Sequence, residues 1–443
     1  MHTGRRVREG LVPPVDLGVL RARNRIVRIS LRPWIFTAWL DGSLRDDLRL
    51  SVHLAAGGKT LADDSYRVVA GQVHRGIALH DAGVDDGRQA LLWSPEYPNL
   101  IHAEVSLISE DGQTIDAVTS YCALRSVSVD ENRILLNGRP YPLRFVLDQG
   151  YWPDSGLTAP GDEALRQDVL LAKAMGFNGV RKHQKIEDPR YLYWADQLGL
   201  LVWEEMPTAH QFTQTAIQRF MREWTEAIAR DFNHPCVIAW VPFNESWGTP
   251  NLADVGEQRH YARSVYHLTK ALDPTRPVVG NDGWESIETD IVGIHDYCQD
   301  PARLTRRYQT AEVLSQILSE RPSGRIVSLN GKDLGAKPVM LTEFGGMALS
   351  GDPATWGYSR CASAEEFSRV FAGLVDAVKD AEALAGYCYT QFADTYQETN
   401  GLLQADRTPK LPLEEIRDAT MGLNEKRQPT LPAAKRRALR RAR

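Results

Sequence analysis

Along the first third of the chain, apolar and polar positions alternate with a period of two, the mark of strands with one buried face. Leu48–Ala55 alternates and runs into Gly57-Gly58, and Ala103–Ile108 alternates before Asp111-Gly112 turns the chain into Ile115–Tyr121. The turn residues make this last pair a hairpin. Short strands at this spacing predict a small immunoglobulin-like β-sandwich over residues 26–130. Ahead of it, residues 1–25 are basic, contain proline and show no period, and an irregular segment is expected. A second hairpin signal follows the sandwich. Arg133–Leu136 and Arg139–Arg144 flank Asn137-Gly138, which supplies the positive φ of a type I′ turn.

After Leu143 the pattern becomes strand, loop, helix, repeated. Short apolar runs at Leu143–Leu147, Phe177–Val180, Leu200–Trp203, Val237–Val241, Pro277–Gly280, Ile291–Ile294, Pro338–Leu341 and Leu384–Tyr389 read as buried parallel strands. The helices between them have recognisable ends. Asp162–Met175 sets Leu165, Val169 and Ala172 on one face, with Gly176 after it; Asp188-Pro189 opens the next helix and Gly199 closes it. Phe220–Ala229 forms a third, and Ser363 with Glu366 makes a capping box for a helix reaching Ala381. Eight such units predict an α/β fold: a (β/α)8 TIM barrel over residues 131–425, preceded by the immunoglobulin-like sandwich.

Two stretches fit this frame less simply. Cys298 to Lys337 is too long for a plain crossover and is expected to hold a helix, Leu304–Leu318, and a surface excursion bordering the mouth. Residues 426–443, with Lys435-Arg436-Arg437, Arg440, Arg441 and Arg443, are expected to form a disordered basic tail, a polybasic anchor being the alternative.

Composition narrows the classes. With 443 residues, 43% hydrophobic and 25% charged, the chain is globular material with length for more than one domain. A net charge of −5 argues against a nucleic-acid partner. Five cysteines, odd in number and never spaced as Cys-x-x-Cys, fit reduced thiols in a cytoplasmic protein. Pro13, Pro14 and Asp16 interrupt the N-terminal stretch, so no signal peptide is expected. No apolar run approaches ~18 residues, so no membrane span is expected either.

Candidate chemistry sits at two strand ends. Val237–Val241 leads through Pro242-Phe243 to Asn244-Glu245-Ser246, and Leu341-Thr342 leads to Glu343-Phe344-Gly345-Gly346. A carboxylate just past a buried strand is costly unless it is paired or used; the bland reading of either is a solvated loop residue. The two lie 98 residues apart (343 − 245), close to three repeats of about 31 residues, which puts both at the C-terminal mouth of the barrel. Strands four and seven lie nearly opposite, so their ends converge on one pocket. Paired carboxylates there suit hydrolysis of a glycosidic bond: one protonates the leaving oxygen, and the other attacks the sugar carbon or activates water. A separation of ~5 Å, the retaining arrangement, is expected. This chemistry requires no cofactor, and the partner is a small carbohydrate or glycoside; homo-oligomer formation stays open. A metal-dependent hydrolase is disfavoured, because that class needs His-x-His after strand one, where the chain has Leu147-Asp148-Gln149-Gly150.

Several strings in a fixed order carry a resemblance. They are Arg133-Ile134-Leu135-Leu136-Asn137-Gly138-Arg139-Pro140, then Asn178-Gly179-Val180-Arg181, then Trp203-Glu204-Glu205. Asn233-His234-Pro235-x-Val237-Ile238-x-Trp240 leading to Asn244-Glu245 follows, and then Thr342-Glu343-Phe344-Gly345-Gly346. Together they resemble the signatures of glycoside hydrolase family 2, which holds β-galactosidases, β-glucuronidases and β-mannosidases, over residues 25–425. The resemblance implies that Glu245 is the acid/base and Glu343 the nucleophile. It implies that Asn244 bonds the sugar 2-hydroxyl, and that Arg181 steadies Glu343 and keeps it ionised. Apolar surroundings and the negative neighbour are expected to keep Glu245 protonated. Tyr297 is implied as a hydrogen-bond partner of the nucleophile.

Further residues carry two readings each. His183 stands one position off the register of the family's sugar-contacting histidine and reads equally as a loop-packing residue. Trp284 and Trp247 stack on sugar faces or pack as rim aromatics. Gln391 and Asp394, at the end of strand eight, are candidate hydroxyl contacts, while Glu204 and Glu205 read as supporting carboxylates. The stretch ahead of the barrel leaves no room for the family's jelly-roll sugar-binding domain. The Asn-x-Lys that reads a uronate carboxylate in β-glucuronidases is not found near Asn400-Gly401-Leu402. The expectation is a retaining, exo-acting, β-galactosidase-like hydrolase working by double displacement through a covalent glycosyl-enzyme. The alternatives are a non-catalytic carbohydrate-binding remnant of that family, or another sugar specificity, β-mannosidase or β-glucuronidase.

Overall fold

The alternating stretches become two antiparallel sheets. In the computed structural model, which describes residues 25–32, 35–41, 47–79, 91–310, 316, 321–330 and 337–423, strands β1 (Arg25–Arg32), β2 (Ile35–Asp41) and β5 (Gln72–Gly76) form one sheet. Strands β3 (Arg49–Ala56), β4 (Lys59–Arg67), β6 (Ile101–Ile108) and β7 (Thr114–Cys122) form the other. The inward-facing set Leu50, Val52 and Leu54 of β3 and Ala103, Val105 and Leu107 of β6 meets Phe36, Ala38 and Val73 in one apolar core. Each large aliphatic side chain buried this way stabilises the unit by about 1.5–3 kcal/mol. The N-terminal segment, the basic tail and most of the expected helix beyond Tyr308 lie outside the described residues.

A three-stranded ribbon, β8 (Val127–Asp130), β9 (Arg133–Leu136) and β10 (Arg139–Pro140), leads into the barrel. Its turn is the one the sequence predicts: Asn137 and Gly138 both have positive φ, 54° and 73°. Side chains tie the sheets to the base of the barrel. Arg125 donates to the carbonyls of Pro235 and Val237 at 2.9 and 2.7 Å, and the Tyr121 hydroxyl donates to Asp196 at 2.7 Å.

Seven parallel strands pair in one continuous sheet: β14 (Val237–Val241), β13 (Leu201–Glu205), β12 (Gly179–Lys182), β11 (Leu143–Asp148), β19 (Gly386–Thr390), β16 (Val339–Gly345) and β15 (Val292–His295), in that order. Their residues are buried on both faces, which explains why their sequences read as apolar runs rather than alternations. The fifth strand, expected at Pro277–Gly280, is reduced to isolated bridges, Trp240–Val278 and Asn244–Asp282. Towards β14, Val279 N still donates to the Trp240 carbonyl at 2.9 Å, but on the other edge the N–H of Val278 is taken by Asp290 Oδ2 and that of Gly280 by Thr289 Oγ1, so side chains replace the ladder there. The segment still lies beside β14 and fills the ring of a TIM barrel.

Helices among the described residues include α1 (Asp162–Ala174), α2 (Pro189–Leu198), α3 (Gln214–Asp231), α4 (Gly256–Leu272), α5 (Pro301–Tyr308), α6 (Ala364–Val378) and α7 (Leu413–Met421). Asp188 and Ser363 cap α2 and α6 as expected, accepting from Arg190 N and Glu366 N. Helix α3 starts at Gln214 rather than Phe220, because Thr213 Oγ1 accepts from Ala216 N and closes the first turn. Helix α5 covers Pro301–Tyr308, and residue 316, within the expected Leu304–Leu318, is also helical. Two short strands after β16, β17 (Met347–Ala348) and β18 (Ser359–Arg360), pair beside the barrel mouth.

Candidate active site

Strand β12 delivers one guanidinium to the centre of the barrel. Arg181 Nε lies 2.7 Å from Glu205 Oε2 at the end of β13, and Nη1 lies 2.7 Å from Asp282 Oδ2 and 3.0 Å from Glu343 Oε1. Nη2 donates to Asn244 Oδ1 at 2.7 Å. A fully buried arginine is tolerated only when its donors are matched by acceptors, and here acceptors from four other strand ends converge on it. Burial opposes its charge, but Asp282, Glu205 and Glu343 outweigh that and hold its pKa well above the ordinary value. The same pairing lowers Asp282 to about 2 against the pull of burial, with Arg181 the main cause and His295 assisting. Small residues make room for this knot. A Cβ on Gly293 would come 1.6 Å from Asp282 Oδ1, so β15 approaches only because that position is bare.

Glu343, on β16, accepts from Arg181 through Oε1 and from the Tyr297 hydroxyl through Oε2 at 2.5 Å. Tyr297 is stacked on Tyr358, which follows β17 and is 47% exposed at the mouth. Glu245 follows β14 in an uncommon backbone state: it and Ser246 have φ of 51° and 59°, the left-handed region. Two bonds pin this corner, Glu245 N to the Asp282 carbonyl and Ser246 N to Asn281 Oδ1, both 3.0 Å. The Glu245 carboxylate is partly open to the pocket, with 23% of its side chain exposed.

Between the two carboxylates stands His295, at the end of β15. Its Nδ1 lies 2.6 Å from Glu245 Oε1, and its Nε2 lies 3.3 Å from Asp282 Oδ2 and 3.4 Å from Glu343 Oε1. Burial works against charge on this ring, yet Glu343, Asp282 and Glu245 together push its pKa up to about 10. The expected apolar surroundings of Glu245 are therefore not what the structure contains. Its inner oxygen faces an imidazolium, and only the outer part of the carboxyl is turned to the pocket.

The remaining expected residues divide. Asn244 and His183 join the central knot: His183 Nδ1 is 3.1 Å from Arg181 Nη2 and 3.3 Å from Glu205 Oε1. Trp284 lies edge-on to His295, 5.6 Å between ring centres, and Trp247 is 43% exposed beside His210. Gln391 is buried, with its amide engaged by Gln149 and Asn400. Asp394 Oδ1 accepts from Lys410 Nζ and Gly401 N at 2.6 and 2.8 Å. Glu205 supports Arg181, while Glu204 is buried beside Arg230 and Asp231 on the far side of the strand.

The sequence reading missed His295, Asp282, Gln149 and Glu398. For His295 a signal existed: it precedes Tyr297 by two residues, and a period of two puts both on one face.

Two groups of side chains have spacings a metal ion could use. Asp196, His234 and Cys236 form one, but Asp196 already accepts from Tyr121, His234 and Cys236 N, which makes it a tie between sheets and barrel. The other is Glu245, His295 and Glu343. There the ring nitrogens of His295 are turned to Glu245 and to Asp282, and its charge opposes a cation.

In that second group, one oxygen of each carboxylate and a His295 nitrogen all lie within 4.8 Å of one another. Retaining glycosidases hold their two carboxyl groups about 5–5.5 Å apart, and inverting ones about 6.5–9.5 Å.

A β-galactosidase of Vibrio cholerae serotype O1 is 30% identical over 352 residues, a match that takes in 74% of this chain and 31% of the relative. The chain thus spans about a third of the length of that curated relative. Among solved structures, a β-glucuronidase of Bifidobacterium dentium complexed with coumarin-3-O-glucuronide superimposes with a TM-score of 0.70 at 20% identity, covering 90% of this chain and 67% of that one. A family 2 β-galacturonidase of Eisenbergiella tayi, bound to glycerol, gives 0.65 at 21% identity, covering 93% and 74%. Residues 127–424 match the TIM barrel domain of glycosyl hydrolases family 2, and the chain belongs to that family.

Proposed function

We propose that the chain is a retaining, exo-acting β-glycoside hydrolase of β-galactosidase-like specificity. The observation that carries this reading is the spacing of Glu245 and Glu343, within 4.8 Å at their nearest oxygens. In the first step Glu343 attacks the anomeric carbon while Glu245 gives its proton to the departing glycosidic oxygen, leaving a glycosyl ester on Glu343. In the second, Glu245 takes a proton from water as that water attacks the same carbon and releases Glu343. Arg181 and Tyr297 hold the nucleophile in position, each by one bond to a different oxygen. Asn244, fixed by Arg181, serves the sugar 2-hydroxyl.

The galactoside preference draws on the curated relative, which is named a β-galactosidase. We also read the two-sheet unit as immunoglobulin-like and divide the chain into residues 26–130 and 131–425.

Proton NMR of a β-glycoside digest tests the proposal. The β-anomer of the free sugar should appear first, and a 2-deoxy-2-fluoro glycoside should label Glu343 alone. First appearance of the α-anomer overturns it.

A further inference from the structure

The described end of the long excursion between β15 and β16, residues 321–330, is bonded to the corner that carries Glu245. Its backbone runs beside the segment after the fifth strand: Glu285 N donates to the Ile326 carbonyl at 2.7 Å, and Ser286 N to that of Val327 at 2.9 Å. Ser323 Oγ donates to the carbonyl of His295, whose ring faces Glu245. Between these ties, Arg325 Nη2 lies 3.0 Å from Glu285 Oε1, and the other oxygen of Glu285 accepts from Ser246 Oγ at 2.6 Å. Ser246 Oγ in turn accepts from Asn281 Nδ2 at 3.1 Å, so its hydroxyl is engaged both as donor and as acceptor. A chain of charge-assisted bonds thus runs from a side chain 44% exposed at the surface to the residue next to Glu245.

A half-exposed ion pair ordinarily contributes little to stability. What this one is attached to sets it apart. Glu245, Ser246 and Glu285 all have left-handed φ, at 51°, 59° and 50°. Residues with side chains stay in that region only where their surroundings over-determine them. Only 8% of the Glu285 side chain is exposed, and Arg325 is the cation paired with it among the described residues. Without that cation the buried carboxylate is drawn towards water, Ser246 loses its anchor, and the corner is free to relax. On the hydrolase reading, on which this step rests, a general acid displaced by about 1 Å loses on the order of 100-fold in rate. We propose that Arg325 is a positioning residue for proton donation: through Glu285 and Ser246 it holds the corner that aims Glu245 at the leaving oxygen. The excursion then serves the acid half of the site, while Glu343 is held separately by Arg181 and Tyr297.

Rates on two aryl β-galactosides separate this role from one in folding. A dinitrophenolate leaves without a proton, whereas a methoxyphenolate needs one, and kcat/KM reports the step in which that bond breaks. Arg325→Gln should lower kcat/KM at least about tenfold on the methoxyphenyl galactoside and less than about twofold on the dinitrophenyl one. Its melting temperature should stay within about 2 °C of wild type. Arg325→Lys, which can keep one ion-pair contact, should recover most of the loss. Adding Arg325→Gln to Ser246→Ala should lower the rate no further than Ser246→Ala by itself, because the first acts through the second. Equal losses on both galactosides, no loss on either, or losses that multiply in the double variant overturn the proposal. If Arg325→Gln melts below the assay temperature, Glu285→Gln is measured instead: nearly isosteric, it removes the same ion pair and must show the same split. Failure of the hydrolase reading shows separately, as a wild-type chain that cleaves neither galactoside, and it takes the proposal with it; flat losses in variants of an active wild type strike the proposal and leave that reading standing.

Discussion

Arg181 on β12 and Glu343 on β16 meet at 3.0 Å although two strands, β11 and β19, separate them in the sheet. The contact spans the bore of the barrel, and the same guanidinium holds Glu205, Asp282 and Asn244.

Lysine cannot reproduce that fork. Arg181→Lys leaves buried carboxylates unpaired, and it should lower unfolding stability by about 3–5 kcal/mol. Turnover should fall at least about 100-fold, since Glu343 and Asn244 lose their anchor. Urea unfolding monitored by tryptophan fluorescence, with kcat on an aryl glycoside, checks both; a variant within 1 kcal/mol of wild type refutes the anchoring account.

Glu343→Gln should abolish almost all turnover on every glycoside, because the amide neither attacks the anomeric carbon nor faces the developing cation with a charge. The side chain is nearly isosteric, so the fold should be kept. Circular dichroism and steady-state rates test this, and near wild-type kcat with an intact fold rules out the nucleophile assignment.

Glu245→Ala should cost far more on disaccharides than on dinitrophenyl glycosides, whose leaving group departs without a proton. Azide should restore rate and yield a glycosyl azide of retained configuration. Equal losses on both substrate classes, without rescue, point to a structural role for Glu245.

His295 gives a pH signature. Its pKa is 6.5 ordinarily and about 10 in the folded chain, so between those values the folded state keeps a proton that the unfolded state has released. Its contribution to stability is fully present below 6.5 and is lost as pH rises towards 10, by at most ~1.4 kcal/mol per pH unit. The melting temperature of wild type should exceed that of His295→Asn most at pH 6, and the gap should close towards pH 10. A gap that stays constant over this range removes the charged ring from the account.

How much of this was legible in the sequence depends on which contacts are local. Strand β14 stood out because Val237–Val241 is buried on both faces and ends at Pro242, and its bounds match the expectation. The turn at Asn137-Gly138 and the caps at Asp188 and Ser363 are likewise local chemistry. Strand five failed because the N–H groups on its edge away from β14 go to Thr289 and Asp290, side chains on the next segment. Asp282 was invisible for a related reason: its partners Arg181, His295 and Thr342 come from three other strands. The position of Glu398 likewise depends on a turn closed by Thr395 and on Gln149, which follows the first barrel strand 249 residues earlier in the chain.

The left-handed backbone at Glu245 and Ser246 sets evolution of heat tolerance against catalysis. Side-chain-bearing residues in sparsely populated backbone regions cost of order 1–3 kcal/mol each, and glycine relieves most of that. On the hydrolase reading, glycine at 245 relieves that strain but deletes the acid/base, while glycine at 246 also gives up the Ser246 Oγ bond to Glu285 at 2.6 Å. Any campaign to harden the molecule has to exempt those two positions, or score turnover after the heat step.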